Sequence, residues 1–259
     1  MESHSLDSGS LWRLDTFIVP PGSLTDRVVP LAGDEFRHAL AASRTRPGDM
    51  VRLIDGEGAE VLARLEGVEG AEARFEVLER RAHRRDEAVS LTIVQALPKG
   101  RGMDDVVRRC SELGVDAVVP VTTDRTIVKL RPEAVPRRVE RWRALAASAA
   151  KQSRGVFLTR VLEPTTLSDV GALVREADLA LVAWEEEGRA SLSAALRESS
   201  PTRIVAVVGP EGGLDESEIA SLKTLGARPV GLGRRVLRSD WAAAALAAVV
   251  ANELGGLLP

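Results

Sequence analysis

The chain has 259 residues, 44% of them hydrophobic and 28% charged, with a formal net charge of −3. That length holds one large domain or two of ordinary size, and the composition is that of a soluble globular protein. A single cysteine, Cys110, excludes an intramolecular disulfide and a cysteine-cluster metal site, and His4, His38 and His83 lie too far apart for zinc spacing.

Residues 1–11 are polar and serine-rich; they are expected to be disordered, and they lack the apolar core of a signal peptide. From Trp12 onward the pattern is one of short strands and turns. Thr16 to Val19 precedes the turn Pro20-Pro21-Gly22, Val28 to Leu31 is a second strand, and Gly33 to Leu40 a short helix. After the turn Arg46-Pro47-Gly48-Asp49, Met50 to Asp55 alternates into Gly56-Glu57-Gly58, a hairpin signal. Glu60 to Leu65 and Ala73 to Leu78 complete a small barrel-like set. Arg80 to Glu87 has the composition of a charged linker, which puts a domain boundary after residue 85.

The second half changes character. Ser90 to Leu97 is a strand, Asp105 to Leu113 a helix closed by Gly114, Val115 to Val121 a strand and Arg137 to Ala150 a helix. Leu179 to Trp184 is a buried strand that runs into Glu185. Strands alternating with helices imply a parallel sheet.

The last fifty residues carry the densest signal. Ile204 to Val208 is a continuous β-branched run, suited to a strand buried on both faces. Gly209-Pro210-Glu211-Gly212-Gly213 breaks it, and a helix follows with Asp215 as N-cap and Glu218 three residues on. Ala227 to Leu232 is a short strand, Gly233 to Asp240 a second glycine loop, and an alanine-rich helix runs from Trp241. In open α/β sheets ligands bind beyond the carboxyl ends of the strands. Three such ends therefore define the expected site: Trp184-Glu185, Gly209 to Gly213, and Leu232 to Arg238. GPEGG lacks the Lys-Ser/Thr of a phosphate-binding P-loop, and it is not the dinucleotide fingerprint.

Charge is unevenly spread. Residues 1–85 hold 12 Lys and Arg against 15 Asp and Glu, whereas residues 98–160 hold 14 against 7, a local net of +7. Such a stretch suits a polyanion, though a solvated helix face has the same composition. With four Trp, four Phe and no Tyr, a broad aromatic platform for bases is not expected. The longest low-charge stretch, Trp241 to Asn252, is too short and alanine-rich to span a bilayer, so the expected location is the cytoplasm.

The pair GPEGG and GLGxRxLR, with the alanine-rich last helix, resembles the cofactor-binding half of the SPOUT methyltransferases. LPKGRGMDDVVRRCSELGVDAVVPV is similar to the pattern KGxRMxxxxxKxxELGV, Thr123-Asp124-Arg125-Thr126 to S-E-R-S, and Ala150-Lys151-Gln152-Ser153-Arg154 to A-E-Q-S-x-R. His38 to Arg44, followed by Arg46-Pro47-Gly48-Asp49, resembles the N-terminal domain of the same proteins. Over its whole length the chain is similar to the branch that methylates N3 of a uridine in 16S ribosomal RNA.

The resemblance implies an α/β fold: a PUA-like, RNA-binding β-barrel (12–85) followed by a SPOUT methyltransferase domain (86–259) with a C-terminal trefoil knot. It further implies S-adenosyl-L-methionine as cofactor, 16S ribosomal RNA within the small ribosomal subunit as substrate, a homodimer, and no metal or membrane. The implied cofactor-binding residues are Trp184, Glu185, Val208, Gly209, Pro210, Glu211, Gly212, Gly213, Leu232, Gly233, Val236, Leu237, Arg238 and Ser239. Those implied for RNA are His38, Arg44, Arg46, Lys99, Arg101, Arg125, Gln152 and Arg154, the last two serving RNA or the dimer. Arg238 and Asp240 are the implied catalytic residues, Arg238 stabilising negative charge on the uracil carbonyls. The chain departs from the pattern at Gly102 (usually Arg), Arg109 (commonly Lys), Lys151 (Glu), Asp240 (Glu) and Trp241 (Thr), which puts a base role for Asp240 in doubt. A SPOUT enzyme for another RNA or atom, and a non-catalytic RNA-binding protein with this fold, are the alternatives.

Overall fold

A computed structural model describes residues 14–85, 89–184 and 191–257. The expectations for residues 1–11, for the 86–87 end of the linker and for Glu185 fall outside these. The chain divides into two compact units, with the division between Arg85 and Asp86.

In the first unit, β1 (Thr16–Ile18), β2 (Val28–Ala32), β3 (Met50–Ile54), β4 (Ala59–Glu69) and β5 (Glu72–Ala82) form one sheet in the order β1-β3-β4-β5-β2. β1 runs parallel to β3 and the other pairs are antiparallel, so the sheet is mixed. α1 (Gly33–Arg37) continues into a wide turn, His38–Ala42, closed by the Ser43 N–H on the His38 carbonyl at 3.1 Å. Phe17, Leu53, Leu65 and Phe75 are wholly buried in the core. Arg80 and Arg81, expected in a linker, belong to β5 instead. Composition pointed to solvent, but tertiary bonds hold the strand: Arg80 donates to the carbonyls of Leu24 and Asp26, and the His83 ring reaches Glu60 at 3.1 Å.

In the second unit, seven strands form one parallel sheet: β6 (Ser90–Ala96), β7 (Ala117–Thr122), β8 (Arg160–Val161), β9 (Thr165–Thr166), β10 (Leu179–Ala183), β11 (Arg203–Val208) and β12 (Arg228–Val230). The order is β12-β10-β11-β6-β7-β8, with β9 also on β7. The helices are α2 (Gly102–Glu112), α3 (Val135–Ser153), α4 (Gly171–Glu176), α5 (Leu192–Ser199), α6 (Glu216–Thr224) and α7 (Ser239–Leu254).

Alternation along the strands divides the core in two. Leu91, Ile93, Ile204 and Ala206 face α2, α3, α5 and α7, whereas Val94, Val205 and Val207 face α4 and α6. The apolar run at Ile204–Val208 is thus buried on both faces because the sheet is covered on both sides. α2 starts three residues before the expected Asp105, at Gly102. A β-carbon on Gly102 would lie 2.8 Å from Cγ of Pro98, so a larger residue there requires the Pro98 ring and the tight loop into α2 to shift.

Candidate functional site

The carboxyl ends of β10, β11 and β12 open into a cleft of about 310 Å³. Of the residues expected to bind the cofactor, Trp184, Val208, Gly209, Pro210, Glu211, Gly213, Leu232, Gly233, Val236, Leu237, Arg238 and Ser239 line this cleft. Gly212 does not line it. Its carbonyl instead accepts a hydrogen bond from Arg125 at 3.1 Å. Ala183, Leu214 and Ala242 add an apolar floor that was not anticipated.

The first glycine loop is shaped by close approach. A β-carbon on Gly209 would sit 3.1 Å from both Cγ and the backbone nitrogen of Leu214. Gly213 is left-handed at φ +71°, which favours glycine. The loop ends in the capping box expected at Asp215 and Glu218: Asp215 accepts from Ser217 N–H at 3.0 Å and Glu218 accepts from Asp215 N–H at 2.8 Å. That bond from the Ser217 backbone is the first cause holding the Asp215 carboxyl below its ordinary range, with Arg125 adding to it.

Two neighbouring loops are fastened to the glycine loop. The Lys99 N–H donates to Glu211 at 2.8 Å. Arg125, besides its bond to Gly212, reaches the Asp215 carboxylate at 3.3 Å, and the Asp124 N–H donates to Glu218 at 3.0 Å. Lys99 and Arg125, expected to contact RNA, are thereby placed beside the cleft.

The second glycine loop is held by a buried relay. Ser239 Oγ donates to the Gly209 carbonyl at 2.6 Å and accepts from Gln95 Nε2 at 2.9 Å. Gln95 is fully buried and also donates to the Ala96 carbonyl at 2.8 Å. It was not anticipated; the one sequence signal was an amide between Val94 and Ala96 in an expected strand.

Arg238 precedes α7 in extended conformation, its guanidinium lying along Asp240 with contacts of 3.1 and 3.3 Å. Asp240 is buried, whereas the Arg238 side chain is 78% exposed. From α2, Arg109 bonds the Asp240 carbonyl at 3.0 Å and its carboxylate at 3.4 Å. The same guanidinium lies 4.2 Å over the ring of Trp241. The bracing role of Arg109 also went unforeseen, because Arg109 and Asp240 are 131 residues apart in sequence.

The remaining expected residues stand elsewhere. Arg101 is exposed in the loop before α2. Gln152 is exposed at the end of α3 and Arg154 is its left-handed C-cap, at φ +64°; neither lines the cleft. In the first unit His38 lies edge-on to Phe17 at 5.9 Å, Arg44 is exposed and left-handed at φ +54°, and the Arg46 N–H closes its turn on Asp49 at 2.7 Å. Among the described residues no group of three His, Cys, Asp or Glu could hold a metal ion, and no helix is long and apolar enough to cross a membrane.

A parallel sheet covered on both faces, with two glycine loops closing a cleft at its strand ends, defines a ligand-binding α/β enzyme fold. The RNA methyltransferase domain family matches residues 85–251, and the chain belongs to that family. Among its relatives, the ribosomal RNA small subunit methyltransferase E of Mycobacterium bovis is 34% identical over 234 residues, 87% of each chain. That of Bacillus subtilis is 30% identical over 217 residues, 82% of this chain and 85% of the relative. The crystal structure of ribosomal RNA small subunit methyltransferase E from Neisseria gonorrhoeae, bound to S-adenosyl methionine, is 28% identical with a TM-score of 0.79. The match covers 92% of this chain and 97% of that one.

Proposed function

We propose that the protein is a cytoplasmic, homodimeric S-adenosyl-L-methionine-dependent methyltransferase that modifies N3 of a uridine in 16S ribosomal RNA of the small subunit. The observation that carries this reading is the cleft between the two glycine loops with Arg238 at its rim. The relatives and the cofactor-bound neighbour agree with it.

The residues fit the cofactor. Main-chain groups on the glycine loops can meet a purine and ribose at close range, over the apolar floor of Ala183, Leu214 and Ala242. Bound there, S-adenosyl-L-methionine supplies a methyl group made electrophilic by its sulfonium. Uridine N3 would first give up its proton to solvent, leaving negative charge spread over the flanking carbonyl oxygens; the N3–methyl bond would then form as the methyl–sulfur bond breaks, with S-adenosyl-L-homocysteine as the leaving product. Arg238, cationic and exposed at the rim, is the catalytic residue that stabilises that charge. Asp240 is read as its positioning residue, because both of its carboxylate oxygens are engaged by the Arg238 and Arg109 guanidiniums. Gln95 and Ser239 keep the two loops in register.

In this reading the first unit is a PUA-like barrel that helps hold RNA through His38, Arg44 and Arg46. The C-terminal segment, whose strand β12 lies beyond β10 and whose Ser239 returns to Gly209, is read as a trefoil knot. Exposed Val236 (82%) and Leu237 beside the cleft suit cover by a second subunit.

The test is incubation of the protein with methyl-labelled S-adenosyl-L-methionine and unmethylated small ribosomal subunits, followed by digestion of the RNA. Label in N3-methyluridine is the expected result. Label in another nucleoside overturns the acceptor, and no label with cofactor bound overturns the activity.

A further inference from the structure

We propose that Trp241 is a stacking platform for a nucleobase of the RNA substrate, set beside the methyl-transfer site; the inference rests on the function proposed above. The side chain is unusual for its place. Trp241 is 52% exposed in the first turn of α7, two residues beyond Ser239 of the cleft, although an indole carries a large apolar surface.

Its surroundings select the partner. The Arg109 guanidinium lies 4.2 Å over the indole ring, and about half of the residue's surface is exposed. Arg109 also braces Asp240, and Asp240 holds Arg238, so the indole is linked through two ion pairs to the group proposed to act on the uracil. The cation over the ring holds the plane of the indole, and a second guanidinium, that of Arg238, is paired with the same Asp240. An aromatic ring with arginines about it matches an RNA strand, whose bases stack and whose phosphates are anionic. An apolar protein partner would leave both cations beside it to be desolvated.

The experiment compares wild type, Trp241→Ala and Trp241→Phe in methyl transfer to small ribosomal subunits. In parallel it reads tryptophan fluorescence during titration with a short uridine-containing RNA, and the sedimentation coefficient. Trp241→Ala is expected to lower kcat/KM for the subunits about tenfold, the scale of one lost base stack. Affinity for S-adenosyl-L-methionine and sedimentation stay unchanged. Trp241→Phe restores most of the activity, and the RNA-dependent quenching seen in wild type disappears in both variants. An unchanged kcat/KM in Trp241→Ala, or no recovery with Phe, overturns the inference. A lowered sedimentation coefficient also overturns it, because Trp241 is then buried between copies of this chain. If wild type transfers no methyl group, the proposed function fails, and the fluorescence titration still decides whether the indole stacks on a base.

Discussion

Arg238 and Asp240 face each other through two parallel contacts of 3.1 and 3.3 Å, one partner exposed and the other buried. Because Asp240 is also held by Arg109, it fixes where the Arg238 guanidinium can sit. Arg238→Ala is expected to lower kcat by about 10²–10³, the range for loss of one group that stabilises an oxyanion, with cofactor affinity nearly unchanged. Asp240→Asn should cost less. Joined with Arg238→Ala it should add little to kcat, because a residue that acts only through another is not additive with it. Single-turnover rates of the two single variants and the double variant, with calorimetry of cofactor binding, measure this. Lost cofactor binding with intact transfer in Arg238→Ala contradicts the role.

The Ser239 hydroxyl is the sole side-chain link described between Gln95 and the Gly209 carbonyl. Removing it in Ser239→Ala leaves buried polar groups with fewer partners, at a cost of about 1–3 kcal/mol. The melting temperature should fall, and S-adenosyl-L-methionine should bind more weakly because both loops that shape the cleft lose their tie. Thermal denaturation with and without cofactor reads both effects. An unchanged melting temperature shows that the relay is dispensable.

Acid should weaken the fold through Asp104. The hydrogen bonds from Arg141, at 2.6 to 3.3 Å, hold its carboxyl below the ordinary value against the opposing effect of burial. A folded-state pKa below the unfolded one means stability that is present above about pH 4 and lost as the pH falls through the folded value. In the first unit, burial pushes Glu60 upward, but Arg52 and then His83 together hold it below its ordinary value, so it acts in the same direction. Urea unfolding between pH 3 and pH 7 should show the decline, and Asp104→Asn should flatten it. A variant as acid-sensitive as wild type removes Asp104 from the account.

Cys110 is wholly enclosed in the core of the second unit, and burial pushes its thiol up to about 12, outweighing the nearby charge of Arg109. The thiolate is the reactive form. Iodoacetamide at pH 8 is expected to leave the native protein unmodified and to label it fully in denaturant. Rapid labelling of the native protein places Cys110 in a region that opens locally.

Much of the second unit was legible in the chain because its signals are local. The capping box needs only Asp215, Ser217 and Glu218, and the buried strand at Ile204–Val208 announces itself by an unbroken β-branched run. The glycine loops were equally plain, since Gly213 and Gly233 adopt positive φ that other residues rarely do. The first unit was harder to read. β4 and β5 run to eleven residues each, longer than alternation suggested, because their ends are held by bonds from elsewhere, as at Arg80 and His83.

The sequence by itself determined the alternation of strands and helices, the two loops at the strand ends and the cation that follows them. Each of these depends on neighbours within a few positions. Only the tertiary structure decided which distant groups brace the site: Gln95 under Ser239, Arg109 on Asp240 and Trp241, Glu211 on Lys99 and Arg125 on Gly212. Those contacts join segments roughly 90 to 140 residues apart. Local propensity carries no record of them, because a hydrogen bond or ion pair is chosen by which groups the folded sheet brings within about 3 Å of one another.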